Sequence, residues 1–198
     1  MGLNLVYIDG QTPIDEDEKE GLLIHTISTI GELDEFEQLN VEKAVDWTMK
    51  RKLTHDKILT EDFAKELHKR MFGDVWKWAG TFRNSNKNIG VDKFEIGIKL
   101  RVLLDDCRCW IEHKTYPEDE IAVRFSHRIV YIHPFPNGNG RHSRLIADIL
   151  ISHGFGKSHF TWGSKNLTKK GEARSKYLKA LKEADQGDYK LLIEFARN

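Results

Sequence analysis

Only two cysteines occur in 198 residues, Cys107 and Cys109, two positions apart in CRCW. On a helix such residues do not face each other, and no second pair exists to complete a zinc site. That excludes a disulfide scaffold and predicts two reduced thiols in a cytoplasmic protein. Long apolar runs are also absent, so no membrane span of about 20 residues is expected. The first residues, MGLNLVYIDGQTPIDEDEKEG, lack both the basic start and the apolar stretch of a signal peptide. Neither sign of charge is in excess: 31 Lys and Arg balance 31 Asp and Glu. A zero net charge argues against a dedicated nucleic-acid binder. Proline is scarce too, and two of the four stand at 134 and 136.

The balanced charge is unevenly spread. Residues 1–40 are acidic with a single lysine, Lys19, whereas residues 156–182 carry many lysines against one acid, Glu172. A basic stretch points to an anionic ligand or partner, or to the acidic head folding against it. No repeat or low-complexity tract interrupts the chain. Apolar residues at helical spacing (Leu33, Phe36, Val41, Val45, Met49) predict a helix from Ile30 to about Lys52. Thr60, followed by Glu61 and Asp62, predicts an N-cap and a helix ending near Gly73. The polar run TFRNSNKNIGVDKF, residues 81–94, has a hairpin-like pattern. A helix over about 95–110 follows, with Ile98, Val102, Leu103 and either Cys109 or Trp110 as inner positions. Another opens on Glu118 and runs with Ile121, Phe125, Ile129 and Ile132 inward. After Gly140 a helix places Leu145, Ile146, Ile149 and Leu150 inward, and two more cover about 168–184 and 188–196. The chain is therefore read as all-α with one small β-hairpin.

Between two of those helices lies HPFPNGNGRHSR, residues 133–144. Pro134 and Pro136 stiffen a loop and remove backbone donors. Phe135 between them is a candidate peg into the core. Gly138 and Gly140 permit positive φ and close approach of backbone to a ligand. The N–H groups of such a loop, at a helix N-terminus, form a nest for phosphate. Arg141 and Arg144 follow one turn apart, two guanidinium forks suited to a polyphosphate. His133, ending the preceding helix, is placed to act as a general base near neutral pH.

The stretch HPFPNGNGRHSR resembles the signature of the Fic family, HPFx(D/E)GNGRxxR. LTEDFAKELHKRMFGDVWKWAGTFR and SKYLKALKEADQGDYKLLIEFA resemble the family's segments before its flap and at its C-terminal end, so the resemblance spans about residues 55–196. TPIDEDEKEGLL and GELDEFEQLN also resemble the Fic proteins called mobile mystery protein B. The resemblance implies a Fic-type all-α core over residues 55–198, preceded at 1–54 by an acidic segment and helix able to act as an inhibitory region. It implies transfer of AMP from ATP to a Ser, Thr or Tyr hydroxyl of a target protein. His133 would deprotonate that hydroxyl. Gly138, Asn139 and Gly140 would cradle phosphates through backbone and amide groups, Arg141 and Arg144 would hold the outer phosphates, and Tyr177 would lie near the base. A hairpin flap around 84–92 would align the target by strand addition. Where the family has an acid that binds Mg²⁺, this chain has Asn137, whose uncharged oxygen implies weaker metal binding.

Many Fic proteins also carry an inhibitory (S/T)xxxE(G/N) helix, whose Glu pairs with the second arginine of the signature. Ser28 to Glu32 fits SxxxE, with Leu33 in the last place, and Thr168 to Glu172 is a second fit. Ser28 and Glu32 are the expected inhibitory residues. The alternatives are a nucleotide-binding regulator that performs no chemistry, or phosphate transfer or AMP removal at the same site. The oligomeric state is left open.

Overall fold

The structure is a computed structural model and describes residues 14–164 and 171–198. Nine α-helices are present among them: α1 Glu16–Lys19, α2 Ile30–Met49, α3 His55–Ile58, α4 Glu61–Phe72, α5 Ile96–Glu112, α6 Glu118–Ile132, α7 Asn139–Ile149, α8 Glu172–Asp185 and α9 Lys190–Arg197. A π-helical turn, Leu150–Gly154, continues α7. Helix α6 packs between α5 and α7, α4 packs on α7 and α2, and α8 and α9 close the far side. None of the described helices is long and apolar enough to cross a membrane.

Local chemistry sets the helix starts. The Thr60 hydroxyl accepts the Phe63 N–H at 3.1 Å, as its sequence position predicts, and α4 stops before Gly73. Thr29 caps α2 by accepting the Glu32 N–H, while the Glu32 carboxylate reaches back to the Thr29 and Ser28 N–H groups. In α5 the buried stripe is Ile96, Leu100, Leu103, Leu104 and Cys107. Ile98 and Val102, expected inside, face solvent, and Cys109 is exposed. The reason is phase: 96, 100, 103 and 107 follow the 3.6-residue period and are the more continuous apolar row. Cys107 and Cys109 are both free thiols, as expected.

Helix α2 differs from its apolar pattern. Its buried positions are Leu33, Glu37, Asn40, Ala44 and Thr48, while Phe36 and Met49 are exposed. Buried polar groups require partners. Asn40 Oδ1 accepts the Asp74 N–H at 3.0 Å, and Glu37 Oε1 accepts the Trp76 indole N–H at 2.6 Å. This helix is held by specific polar contacts to the 73–76 turn as much as by apolar packing.

The expected hairpin is absent: no strand ladder forms over 81–94 among the described residues. Arg83, only 3% exposed, replaces it. Its guanidinium donates to the carbonyls of His133 (2.7 Å), Ser85 (2.8 Å) and Val91. Those are groups a second strand would otherwise satisfy. Asn86 does the same at the tip, donating to Asp92 and accepting the Lys93 N–H. The segment is a side-chain-stitched loop. Its ends bond to the backbone of the motif, Arg83 N–H to Pro134 O at 2.9 Å and Val91 N–H to Ile132 O at 3.4 Å.

Candidate active site

Helix α6 ends at His133, whose backbone turns left-handed at φ 55°, ψ 59°. Few side chains tolerate that region, and the following Pro134 makes continued helix unfavourable. The turn is held by the Arg83 bond to the His133 carbonyl. It aims the chain inward, so that Phe135 is fully buried. The Phe135 ring stacks on His68 with centroids 3.8 Å apart, which makes it the peg its place in the sequence indicates.

The loop is closed by Asn139. Its side-chain oxygen accepts the Phe135 N–H at 2.9 Å and its amide donates to the Phe135 carbonyl at 2.8 Å. Both ends of the amide are thus used on the loop itself, not on the phosphate role expected for it. Gly138 caps α7 at φ 76°, with the Phe72 ring 2.5 Å from where a Cβ would stand. Gly140, already in the helix, has only the Arg144 guanidinium within 3.6 Å of that position. The first N–H groups of α7 therefore lie beside Arg144 at the end of an 11-residue helix, where dipole and orphan donors favour an anion.

The two arginines do not share a side. Arg144 lies over Tyr177 at 5.4 Å, so Tyr177 and Arg144 do come together. Arg141 lies over Phe72 at 4.7 Å and pairs with Glu37 on α2 at 2.6 Å. Glu32, five residues earlier, is occupied with Ser28 and Thr29 in its own cap and touches no motif arginine among the contacts described. That N–H set and the two hydroxyls hold its carboxyl below the usual range. Ser28 and Glu32 therefore form a helix cap. The acid that reaches the motif is Glu37. Thr168, of the second fit, lies outside the described residues. Of the basic stretch, Lys165, Lys169 and Lys170 do too.

Glu37 carries a testable load. Its side chain is 5% exposed and serves both Trp76 and Arg141. Glu37→Ala should lower stability by about 2–3 kcal/mol, because the indole and part of the guanidinium lose their partner. Urea denaturation of the variant measures this. An Arg141→Ala change in the same background should then cost little more, since the pair is one interaction.

His133 is 5% exposed, and burial pushes its imidazole down to about 4 against the pull of a Val130 backbone hydrogen bond. The cover is the 83–91 loop. A Cβ on Gly90, at φ 103°, would stand 2.6 Å from the His133 Cβ. Beneath the loop, His68 is fully buried: its Nδ1 accepts the Gly80 N–H at 3.0 Å, so its Nε2–H donates to the Asn137 carbonyl at 3.0 Å. His142 is likewise buried, bonded to Ala64 O at 2.9 Å.

Asn137 turns its Oδ1 onto the Gly138 N–H at 2.6 Å. Mg²⁺ prefers charged oxygen donors in octahedral array. Among the described residues, no group of three or more His, Cys, Asp or Glu converges to hold a metal. The described residues do not by themselves build a site for Mg²⁺.

His68, Arg83, Glu37 and Lys87 (which pairs with Asp15 and Glu18) are the site residues that sequence reasoning missed. Arg83 and Lys87 lie in a run read as a hairpin, and Glu37 is one acid in an acidic helix. A lone histidine such as His68 on an apolar helix face gives no signal of its own.

Known proteins resemble this chain in sequence and in fold. The model of the Fic/DOC family matches residues 58–151. "Protein adenylyltransferase Fic" of Drosophila virilis is 30% identical over 135 residues, 66% of this chain and 26% of that protein. Its namesake in Aedes aegypti is 28% identical over 134 residues, 66% of this chain and 25% of that protein. The chain thus spans about a quarter of the length of these curated relatives. Among solved structures, BepC protein from Bartonella tribocorum, with bound AMPPNP, superposes with a TM-score of 0.66 at 16% identity, covering 92% of this chain and 97% of that one. Fic-1 from C. elegans gives 0.63 at 22% identity, covering 81% and 46%. Through residues 58–151, which hold the loop and both helices flanking it, the chain is therefore similar to the Fic/DOC family.

Proposed function

We propose that the protein is an adenylyltransferase moving AMP from ATP to a Ser, Thr or Tyr hydroxyl of a target protein. The observation that carries the reading is one loop with a histidine at its first residue and a glycine-capped helix N-terminus, flanked by Arg144, at its last. The phosphates would rest on the N–H groups of residues 138–140 and on Arg144. Arg141 would join them once released from Glu37. His133, neutral in its buried setting, would take the proton of the target hydroxyl. The hydroxyl oxygen then bonds to the α-phosphorus, the bond to the bridging β-oxygen breaks, and pyrophosphate leaves. The similar adenylyltransferases of Aedes aegypti and Drosophila virilis support this reaction class, and the AMPPNP bound by a similar fold supports a nucleotide ligand. Residues 1–54 are read as the restraining segment, with Glu37 in the part first expected of Glu32.

Incubation with ATP and Mg²⁺ or Mn²⁺, followed by intact mass, tests the reading. The Glu37→Ala chain should gain one AMP residue faster than the wild type. If it binds ATP and gains none, the second reading holds, a nucleotide-binding regulator without transfer. Asn137, spent on its own loop, favours that second reading.

Asn137→Asp should restore a charged oxygen at the start of α7, where the helix dipole also favours it. Affinity for ATP in Mg²⁺ should rise about tenfold, ~1.4 kcal/mol. Calorimetric titration with and without Mg²⁺ measures it, and an equal gain without metal would sink the assignment of position 137.

A further inference from the structure

Lys87, on the loop covering His133, has a side chain only 2% exposed. Its ammonium pairs with Asp15 at 2.7 Å and with Glu18 at 2.5 Å. The Ser85 hydroxyl donates to the same Asp15 oxygen at 2.8 Å. Glu18 in turn accepts the Asp15 N–H at 3.0 Å, which presents the two carboxylates together. Lys87 holds the Asp15 carboxyl below its ordinary range. A lysine so buried is stable only while its charge is matched, and a neutral neighbour would strand it.

The acids come from a short segment pinned on either side of them, with Ile14 buried in the core just before Asp15. Helix α1 is four residues long. Its backbone is held at and after Glu18: the Trp78 indole donates to Glu18 O at 3.0 Å, Lys77 N–H to Gly21 O at 2.8 Å, and Leu23 N–H to Val75 O at 2.8 Å. Residues 15–18 are thus an acidic pair tethered beside the loop. The acidic head lies on this loop, not on the basic stretch that its charge first pointed to. The loop in turn lies against His133 through Gly90 and Arg83.

We propose that the 84–91 loop is a docking surface for an acidic segment of the target protein, with Lys87 as its specificity-determining residue. The chain's own Asp15 and Glu18 occupy that surface and keep His133 covered until a target offers a comparable carboxylate pair. Exchange of one acidic pair for another leaves Lys87 neutralised, whereas a neutral segment cannot displace the tethered one. The functional sense of this surface rests on the reading of His133 as the base.

The test uses the full chain without nucleotide, so it stands apart from whether transfer occurs. Diethylpyrocarbonate labelling of His133, mapped by mass spectrometry, reports its cover. Asp15→Asn with Glu18→Gln should raise the labelling rate about tenfold, because Lys87 is left unpaired and the loop opens. The peptide PIDEDEKE, residues 13–20, supplied at roughly millimolar to match a short tether, should restore protection. The same peptide with amides at the positions of Asp15 and Glu18 should not. Lys87→Met removes the buried charge instead of stranding it, and remains testable if the double variant fails to fold. It should expose His133 in a way the acidic peptide does not reverse. Unchanged labelling in either variant overturns the proposal, as does protection by both peptides or by neither. Normal protection data alongside absent AMP transfer would instead count against the transferase reading alone.

Discussion

Alanine at position 133 is expected to cut AMP transfer by about 10²–10⁴-fold, the usual contribution of a positioned general base. The loss should be chemical and not structural. The backbone carbonyl of residue 133 still accepts the Arg83 bond in the variant. His133 already bears the cost of φ 55°, and alanine bears a similar one, so the thermal midpoint should fall by only a few degrees. ATP affinity should be nearly unchanged, since the nest and Arg144 are untouched. The pH dependence carries the sign of a base. The imidazole must be deprotonated, so transfer is lost as pH falls through its pKa. That value is about 4 under the closed loop and rises toward the ordinary 6.5 as the loop opens and water returns. An acid limb between those two values identifies the group, and intact mass against pH measures it. Transfer by the alanine variant at the wild-type rate would remove His133 from the chemistry.

Gly138→Ala should be the most damaging single methyl in the site. The residue sits at φ 76°, and the added carbon would stand 2.5 Å from the Phe72 ring. Positive φ costs about 1–2 kcal/mol. Overpacking against a ring whose own position is 1% exposed adds about 1–3 kcal/mol. A total near 3–4 kcal/mol corresponds to a fall of about 10 °C in Tm for a chain this size. Gly140→Ala is the control. Its nearest neighbour would be Arg144 at 3.6 Å, an ordinary contact, in helical backbone. Its stability should stay within about 0.5 kcal/mol of wild type. If residues 138–140 cradle phosphate, its ATP affinity should nevertheless fall, because the methyl enters the space the phosphate would use. A Gly140→Ala chain that binds ATP normally would place the nucleotide elsewhere.

The parts of the molecule legible in sequence are those whose physics is local. Thr60 declares its helix because a cap is a contact across three residues. HPFPNGNG declares its loop because proline and glycine restrict or release the backbone where they stand. The phase of α5 is not legible because Ile98 and Val102 are as apolar as the residues that go inside, and only the partner helices choose between two neighbouring stripes. The hairpin failed for a different reason. The polar run has the pattern of a hairpin, but Arg83 reaches across to 132–133 and along the loop to 91 and takes over the bonds of a ladder. Glu37 is hidden among five other acids between residues 31 and 46. Its partner Arg141 is more than a hundred positions away, a pairing that no periodicity encodes.

His68 gives the site a property that its reactive residue does not share. With one ring nitrogen accepting from Gly80 and the other donating to Asn137, this imidazole cannot gain a proton without breaking the first bond. Burial holds its pKa well below the ordinary value, with the nearby His142 and Arg141 pushing the same way. The strut beneath the phosphate loop is therefore held in its neutral form by the same two bonds that position it. One histidine would do chemistry on a foundation that another holds.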